Sequence, residues 1–139
     1  MEQFKKNPVF QKLLTLNLNP NNYAIFGSGP MYAHNLKNEF HDLDIIARED
    51  AWESAKQLGT PHPSLLKHGL EIDMDDGKIQ VFNKWISDNW DVNELIDDAE
   101  VIEGIRFVRL DKVLSSKLEL SRTKDIKDIE TLRIYFKNL

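Results

Sequence analysis

The stretch from Tyr23 to Ala47 constrains the fold more than any other part of this chain. It contains two short apolar runs, YAIF and LDIIA, which predict buried strands. Between them lies the turn Gly27-Ser28-Gly29-Pro30, and Pro30 suits the first turn of a helix over residues 30–36. Two strands joined through a helix predict a sheet against which helices pack.

Two aspartates sit at the start of the second run, in the order Asp42-Leu43-Asp44-Ile45. Residues two apart in a strand point to the same face, so Asp42 and Asp44 are expected to project together while Leu43 and Ile45 face the core. Two ionised carboxylates so close repel each other. A divalent cation removes that repulsion, and Mg²⁺ is usually held by one or two carboxylates together with substrate phosphates. The alternative is a solvated strand end with no ligand.

The glycine turn before the helix has features of a phosphate site. Gly27 allows a ligand to approach the backbone closely, and Gly29 is expected to take a positive φ. Ser28 offers a hydroxyl and an amide, and the free N–H groups of the following helix suit a phosphate. The turn lacks the Gly-Lys-Ser/Thr of a Walker loop, and Tyr32 breaks a Gly-x-Gly-x-x-Gly pattern. Alone, it is typical of an ordinary strand-to-helix connection.

The rest of the chain predicts two more helices and two hairpins before its C-terminal part. One helix is predicted in NPVFQKLLTLN, with Val9, Phe10, Leu13 and Leu14 on its apolar face. Another is predicted in EDAWESAKQLG, ending at Gly59, and TPHPS is predicted to be a loop. A hairpin is predicted from Leu70 to Phe82 around Asp76-Gly77, and a shorter extended pair in VIEGIRFVRL.

Two helices are predicted at the C-terminal end. Asp111 is expected to cap KVLSSKLELS, and Thr123 to cap KDIKDIETLRIYF. The last helix is expected to bury a stripe made of Ile126, Ile129, Leu132, Tyr135 and Phe136. The order of elements predicts an α+β, or mixed α/β, fold in which a small mixed β-sheet is flanked by helices.

Composition limits the classes of function. The 139 residues predict a single domain over residues 1–139. The net charge of −5 argues against broad nucleic-acid binding but allows local binding of a small polyanion with a metal. The chain has no cysteine, which excludes disulfides and thiolate chemistry. We expect a cytoplasmic protein, because the sequence shows neither a signal peptide nor an apolar run long enough for a membrane span.

The turn and the aspartates together resemble the nucleotidyltransferase superfamily, which includes DNA polymerase beta, the kanamycin nucleotidyltransferases and the minimal nucleotidyltransferases. Its signature is an apolar residue, Gly, then Gly or Ser, a spacer, and Asp-x-Asp or Asp-x-Glu between apolar residues. Here it reads Phe26-Gly27-Ser28 and Asp42-Leu43-Asp44-Ile45. The segment GIRFVRLDKVLSSKLELSRTKDIKDIETL resembles the tail of small bacterial nucleotidyltransferase-like proteins. The resemblance covers most of Tyr23 to Leu132.

The resemblance implies roles for particular residues. Gly27 and Ser28 would contact a nucleotide triphosphate, and Asp42 and Asp44 would ligate Mg²⁺, with two ions expected. The family usually has a third carboxylate on an adjacent strand, which acts as metal ligand and general base. Asp73, with Glu71 on the same face, is our choice for that third ligand and catalytic residue. The other candidate position is Gln80, and an amide cannot accept the proton of a hydroxyl as a carboxylate does.

Basic residues near the C-terminal end are candidates for phosphate contacts. Lys117 lies on the same helix side as core residues, so it either meets an anion or extends along the surface. Arg122 and Lys124 flank the last helix and are expected to help neutralise a triphosphate. Asp125 and Asp128 are expected to form ion pairs with Arg122 or Lys124.

Histidines and tryptophans are expected to have structural roles. The histidines are assigned to the surface without a metal-binding spacing, although His41 directly precedes Asp42. Trp52 is expected in the core. Trp85 and Trp90 either pack over the hairpin or stack on a base, and packing is preferred.

The expected activity is a Mg²⁺-dependent transfer of a nucleoside monophosphate from an NTP to an acceptor hydroxyl, with release of pyrophosphate. The acceptor is a protein, an RNA end or a small molecule, and a homodimer or a partner protein is one source for the rest of the site. The alternatives are a nucleotide-binding or protein-interaction module without catalysis, and a purely structural domain. Some relatives belong to bacterial toxin-antitoxin pairs, and the resemblance permits that role.

Overall fold

The computed structural model describes residues 3–139, in which seven strands form one mixed sheet. The strands are β1 (Tyr23–Phe26), β2 (Leu43–Ala47), β3 (His62–Pro63), β4 (Leu70–Met74), β5 (Ile79–Phe82), β6 (Glu100–Ile102) and β7 (Ile105–Phe107). Their order across the sheet is β3-β4-β5-β2-β1-β7-β6. The predicted mixed sheet is therefore confirmed, and the two central strands are those on either side of the glycine turn.

Strand directions bring three strand ends together beside the glycine turn. β1 pairs antiparallel with β2, so the end of β1 and the start of β2 lie side by side. β2 runs parallel to β5, so β5 also starts there. β4 and β5 form the predicted hairpin, and β6 and β7 form a second one around Glu103 and Gly104. The loop of the first hairpin spans the four residues from Asp75 to Lys78.

Seven α-helices complete the described part of the chain. They are α1 (Gln3–Lys6), α2 (Pro8–Thr15), α3 (Gly29–Ala33), α4 (Glu49–Leu58), α5 (Val92–Asp97), α6 (Leu110–Leu120) and α7 (Ile126–Lys137). The Asn7 side chain caps α2 by accepting a hydrogen bond from the amide of Val9. None of the helices within residues 3–139 is long and apolar enough to cross a membrane.

The sheet separates two apolar cores. One face packs against α1, α2 and α4, and its fully buried members include Phe10, Ile25, Leu43 and Ile45. Leu43 and Ile45 thus face the core, as the alternation predicted. The other face packs against α5, α6 and α7 through residues such as Phe26, Ile46, Trp85, Val113 and Leu132.

Three short elements were not predicted from the sequence. The predicted loop TPHPS contains the edge strand β3, which pairs with β4. Two residues are too few to produce a detectable alternation. The segment after Trp85 contains α5, which begins where Asp91 accepts hydrogen bonds from the amides of Asn93 and Glu94. The short N-terminal α1 was also not predicted.

Several helix ends and faces differ from expectation. α3 ends at Ala33 rather than residue 36, and α6 begins at Leu110, so Asp111 lies in its first turn instead of capping it. Thr123 begins a single 3₁₀ turn, Thr123–Asp125, ahead of α7. Leu14 and Ile126 are exposed, and Asp125 and Asp128 are buried where an apolar stripe was expected to begin. The inward face at the start of α7 is therefore acidic.

Candidate functional site

A cleft of about 1120 Å³ opens at the end of the sheet where β1 ends and β2 and β5 begin. It is lined by the glycine turn, by the two aspartates and by the basic residues of the C-terminal helices. Among its lining residues are Gly27, Ser28, Asp42, Asp44, Gln80, Lys117, Arg122 and Lys124. The fold thus brings together every residue predicted for the site except Asp73, which does not line the cleft.

Gly27 and Asp44 are in direct contact across the two central strands. Phe26 pairs with Asp44 in the sheet, so the chain turns immediately beside the Asp44 carboxylate. Gly27 has a φ of 66°, and a Cβ atom there would lie 2.5 Å from Oδ2 of Asp44. Position 27 therefore favours glycine for two reasons: the backbone has a positive φ, and the Asp44 carboxylate occupies the space of a side chain. The positive φ was expected at Gly29, but the structure has it at Gly27, and Gly29 instead begins α3.

The two aspartates differ in environment. Asp42 precedes β2 and is exposed, whereas Asp44 lies within the strand and is half-buried. Burial, followed by the negative charge of Asp42, raises the pKa of Asp44 to about 7, although Lys117, Arg122 and Lys124 oppose the shift. The cleft therefore holds a carboxylate whose charge is incompletely balanced by the protein's own cations.

A buried ion-pair network forms the opposite wall of the cleft. Nζ of Lys117 lies 3.3 Å from Oδ1 of Asp125 and 3.1 Å from Oδ2 of Asp128, and all three residues are buried. Nε of Arg122 donates to Oδ2 of Asp125 at 2.7 Å. Burial alone would raise the pKa of Asp125, but the hydrogen bond from Arg122 and the charge of Lys117 outweigh it and lower that pKa.

This network decides between the alternatives for the basic residues. The predicted pairing of Asp125 with Arg122 is present, and Lys117 meets anions on its own protein rather than reaching along the surface. Lys124 is exposed and forms no ion pair with any residue in the described part of the chain. Lys127 on α7 also lines the cleft, is exposed and has no ion-pair partner among the described residues, so these two lysines are the cleft cations most available to a bound anion.

Lys37 is a basic cleft residue that the sequence analysis did not find. Its Nζ lies 3.1 Å from Oδ2 of Asp128 and donates to the hydroxyl of Ser28 at 3.4 Å. It thereby joins the glycine turn to the network on α6 and α7. The only signal for it in the sequence is a basic residue in the spacer between the turn and Asp42, and that spacer has no periodicity from which to place it.

The register of the sheet locates the two candidates for the third polar position. Gln80 pairs directly with Asp44 on the neighbouring strand, and Asp73 pairs with Gln80 one strand further away. Directly paired side chains point to the same face, so all three lie in one row across the sheet. Gln80 lines the cleft, whereas Oδ2 of Asp73 is held by Nε2 of His62 at 2.8 Å. The strand adjacent to Asp44 thus presents an amide.

The tryptophans act mainly in packing. The ring of Trp85 stacks on Phe26 with centroids 4.3 Å apart, and its Nε1 donates to the hydroxyl of Ser116 at 2.8 Å. Trp52 is partly buried against the first core, and Trp90 packs edge-to-face on Phe26.

Two histidines form surface pairs, His34 with Glu100 and His68 with Asp88. His41 is exposed and lines the cleft beside Asp42.

The donor set at the two aspartates fits a hard divalent cation. Asp42 and Asp44 present carboxylate oxygens to the same cleft, and the raised pKa of Asp44 reflects a charge that a cation would stabilise. Gln80, one strand away, adds an amide oxygen of the same hard type. The residues present are therefore suited to Mg²⁺.

Comparison with known proteins identifies a similar fold. No protein-family model and no curated protein matches the chain. The structure is similar to the crystal structure of a "putative nucleotidyltransferase" from Thermotoga maritima, with a TM-score of 0.58 and 20% sequence identity over 100% of this chain and 97% of that chain. The chain has a nucleotidyltransferase-like fold, with its acidic pair and glycine turn at the mouth of one cleft.

Proposed function

We propose that the protein is a nucleotidyltransferase that binds an NTP with Mg²⁺ in this cleft. The single observation that carries the proposal is the contact between Gly27 and Asp44, because it sets a glycine turn directly against an acidic pair. The turn and Ser28 would contact the triphosphate, and Asp42 and Asp44 would hold the cation. Lys124, together with Lys117 and Arg122, would balance the phosphate charge.

The arrangement supports transfer of a nucleoside monophosphate. An acceptor hydroxyl attacks the α-phosphorus and gives its proton to solvent, the bond from the α-phosphorus to the oxygen that bridges to the β-phosphate breaks, and pyrophosphate leaves. Bound Mg²⁺ would supply charge neutralisation at the phosphates. The chain's own part is to orient the triphosphate and to place its cations around the leaving group. The acceptor is a protein, an RNA end or a small molecule.

Gln80 favours a second candidate function. The carboxylate expected on the strand beside Asp44 is replaced there by an amide, which cannot accept the acceptor's proton. The second candidate is therefore a module that binds Mg²⁺-NTP without transferring the nucleotide, including a regulatory role within a toxin-antitoxin pair. Binding is common to the two candidates, and turnover separates them.

The test is turnover with NTPs labelled at the α-phosphate. Each of the four NTPs is incubated with the full chain, Mg²⁺ and pools of RNA, protein or small-molecule acceptors, and pyrophosphate release and transfer of the label are measured. An active enzyme transfers label, and Asp42→Asn/Asp44→Asn reduces this by more than about a hundredfold. If the wild type binds NTP but transfers none to any pool, the second candidate replaces the first.

Two variants test the third position. Gln80→Glu installs a carboxylate beside Asp44, so we expect it to increase transfer if the missing base limits the reaction. Asp73→Asn is the matched control, because Asp73 lies outside the cleft and its loss should leave transfer unchanged. A strong loss of transfer in Asp73→Asn would return Asp73 to the catalytic role predicted from the sequence.

A further inference from the structure

A second group of potential metal ligands lies at the edge of the same sheet, outside the central acidic pair. His62 on β3 pairs directly with Glu71 on β4, and Asp73 lies two residues further along β4. All three side chains therefore point to one face. One ligand atom from each lies within 4.8 Å of the others.

Glu71 shows that this group is more than an exposed cluster of charges. The residue is only 1% exposed, and its Oε1 accepts a hydrogen bond from the amide of Leu65 at 2.8 Å. Among the described residues, Oε2 of Glu71 has no hydrogen-bond partner. A buried carboxylate oxygen without a donor is costly, and a bound cation or proton would satisfy it.

His62 is oriented as metal-bound histidines usually are. Its Nδ1 lies 3.0 Å from the carbonyl oxygen of Pro63 and can donate its hydrogen there. Nε2 lies 2.8 Å from Oδ2 of Asp73 and donates a hydrogen bond to it while it carries a proton. Loss of that proton to solvent frees the Nε2 lone pair for a cation bound beside Asp73. A backbone carbonyl bonded to the other ring nitrogen commonly fixes the tautomer of a metal-binding histidine.

We propose that His62, Glu71 and Asp73 bind a divalent transition-metal cation of the Zn²⁺ class. One imidazole nitrogen and two carboxylate oxygens match the ligands that such ions take at about 2.0–2.2 Å. The side chains of His62 and Asp73 are 38% and 37% exposed, so both are free to close around an ion.

The consequence of binding lies in the loop between β3 and β4. Glu71 holds the amide of Leu65, and Leu65 and Leu66 line the central cleft. A cation on Glu71 would also attach the two-residue strand β3 to its neighbour. Because Glu71 itself lines the central cleft, the ion would stiffen that wall of the cleft.

The test uses the full chain without a histidine tag, stripped with EDTA and titrated with Zn²⁺ in the absence of nucleotide. We expect one ion per chain at this group, and His62→Ala and Asp73→Asn each to weaken binding more than about tenfold. Zn²⁺ should also raise the thermal midpoint of the wild type and not that of His62→Ala. His68→Ala is the matched control, because His68 pairs with Asp88 and should bind Zn²⁺ as the wild type does.

Two results would overturn the proposal. If the wild type binds no Zn²⁺, or binds it no more tightly than His62→Ala, then a proton shared by Glu71 and Asp73 satisfies the buried oxygen instead. If Asp42→Asn/Asp44→Asn abolishes Zn²⁺ binding while His62→Ala does not, the ion sits in the central cleft. Neither result bears on nucleotide binding, which is measured separately with Mg²⁺.

Discussion

At the scale of residues, the cleft depends on how closely Gly27 approaches Asp44. The backbone at Gly27 is left-handed, and the missing side chain leaves room for a carboxylate oxygen 2.5 Å from the position of a Cβ atom. The strand pairing of Phe26 with Asp44 fixes that approach. A change at either residue should therefore alter the site more than it alters the fold.

Gly27→Ala should lose Mg²⁺-NTP binding as well as stability. An alanine there has an unfavourable positive φ, and its Cβ would displace the Asp44 carboxylate, so we expect a loss of roughly 1–3 kcal/mol in the free energy of unfolding. Gly104→Ala is the matched control, because Gly104 also has a positive φ (81°) but has open space around it. Chemical denaturation and calorimetric NTP titration of both variants check this. Equal nucleotide binding by both would contradict the account.

The raised pKa of Asp44 predicts a pH dependence of stability in the metal-free protein. The folded state binds this proton more tightly than the unfolded chain, with a pKa of about 7 against 3.8. The contribution to stability is therefore complete below about pH 4 and is lost as the pH rises toward 7. Asp44→Asn removes this pH-dependent contribution. The free energy of unfolding of the variant, relative to that of the wild type, should therefore increase by about 3 kcal/mol between pH 5 and pH 8.

Urea denaturation in EDTA at the two pH values measures that difference. Comparing variant with wild type at each pH cancels the opposite contributions of groups such as Asp97 and Asp125, whose pKa values are lowered in the fold. Asp76→Asn, at an exposed position with no ion pair to any residue within 3–139, is the control and should show no such growth. An advantage of Asp44→Asn that is the same at both pH values would show that its carboxyl is not perturbed.

At the scale of elements, α6 and α7 are joined by charge. Lys117 on α6 is buried between Asp125 and Asp128, which lie just before and within the first turn of α7. The residue is held by its neighbours even without a ligand. Lys124, in the connection between the helices, is exposed and has no such partner within residues 3–139.

Lys117→Met should therefore mainly lower stability, whereas Lys124→Met should mainly weaken NTP binding. Removing Lys117 leaves two buried carboxylates with fewer partners, so we expect the free energy of unfolding to fall by about 3 kcal/mol. Lys124→Met should change it by less than about 0.5 kcal/mol but weaken NTP binding. Denaturation and NTP titration of both variants measure this. If Lys117→Met proves neutral, the network does not hold the helices together.

The elements that the sequence predicted are those with a strong local signal. β1, β2, the β4–β5 hairpin, α2 and α4 each have an apolar period or a turn signal within their own residues. β3 and α5 do not, since β3 exists only because β4 offers it a partner and α5 is short. The burial of Asp128 at the start of α7 was not predicted, because the lysines that cover it, Lys37 and Lys117, come from other parts of the chain.

At the scale of the whole molecule, one sheet organises the cleft and the second ligand group. Its central strands bring Gly27 and Asp44 together, and its edge brings His62, Glu71 and Asp73 together. The glycine turn and the acidic pair were predictable because they lie close in sequence. The register that sets Gln80 beside Asp44 and moves Asp73 out of the cleft was not, because strand order depends on pairing between distant segments.

Thermal unfolding with each NTP, with and without Mg²⁺, shows directly whether the cleft binds a nucleotide. A ligand at a hundred times its dissociation constant stabilises the folded state by about 2.7 kcal/mol. Mg²⁺-NTP should raise the wild-type midpoint by several degrees and leave Asp42→Asn/Asp44→Asn at its own ligand-free value, while Asp73→Asn should respond like the wild type. If no NTP shifts the wild type and calorimetry at millimolar NTP detects no binding, the cleft is not a nucleotide site.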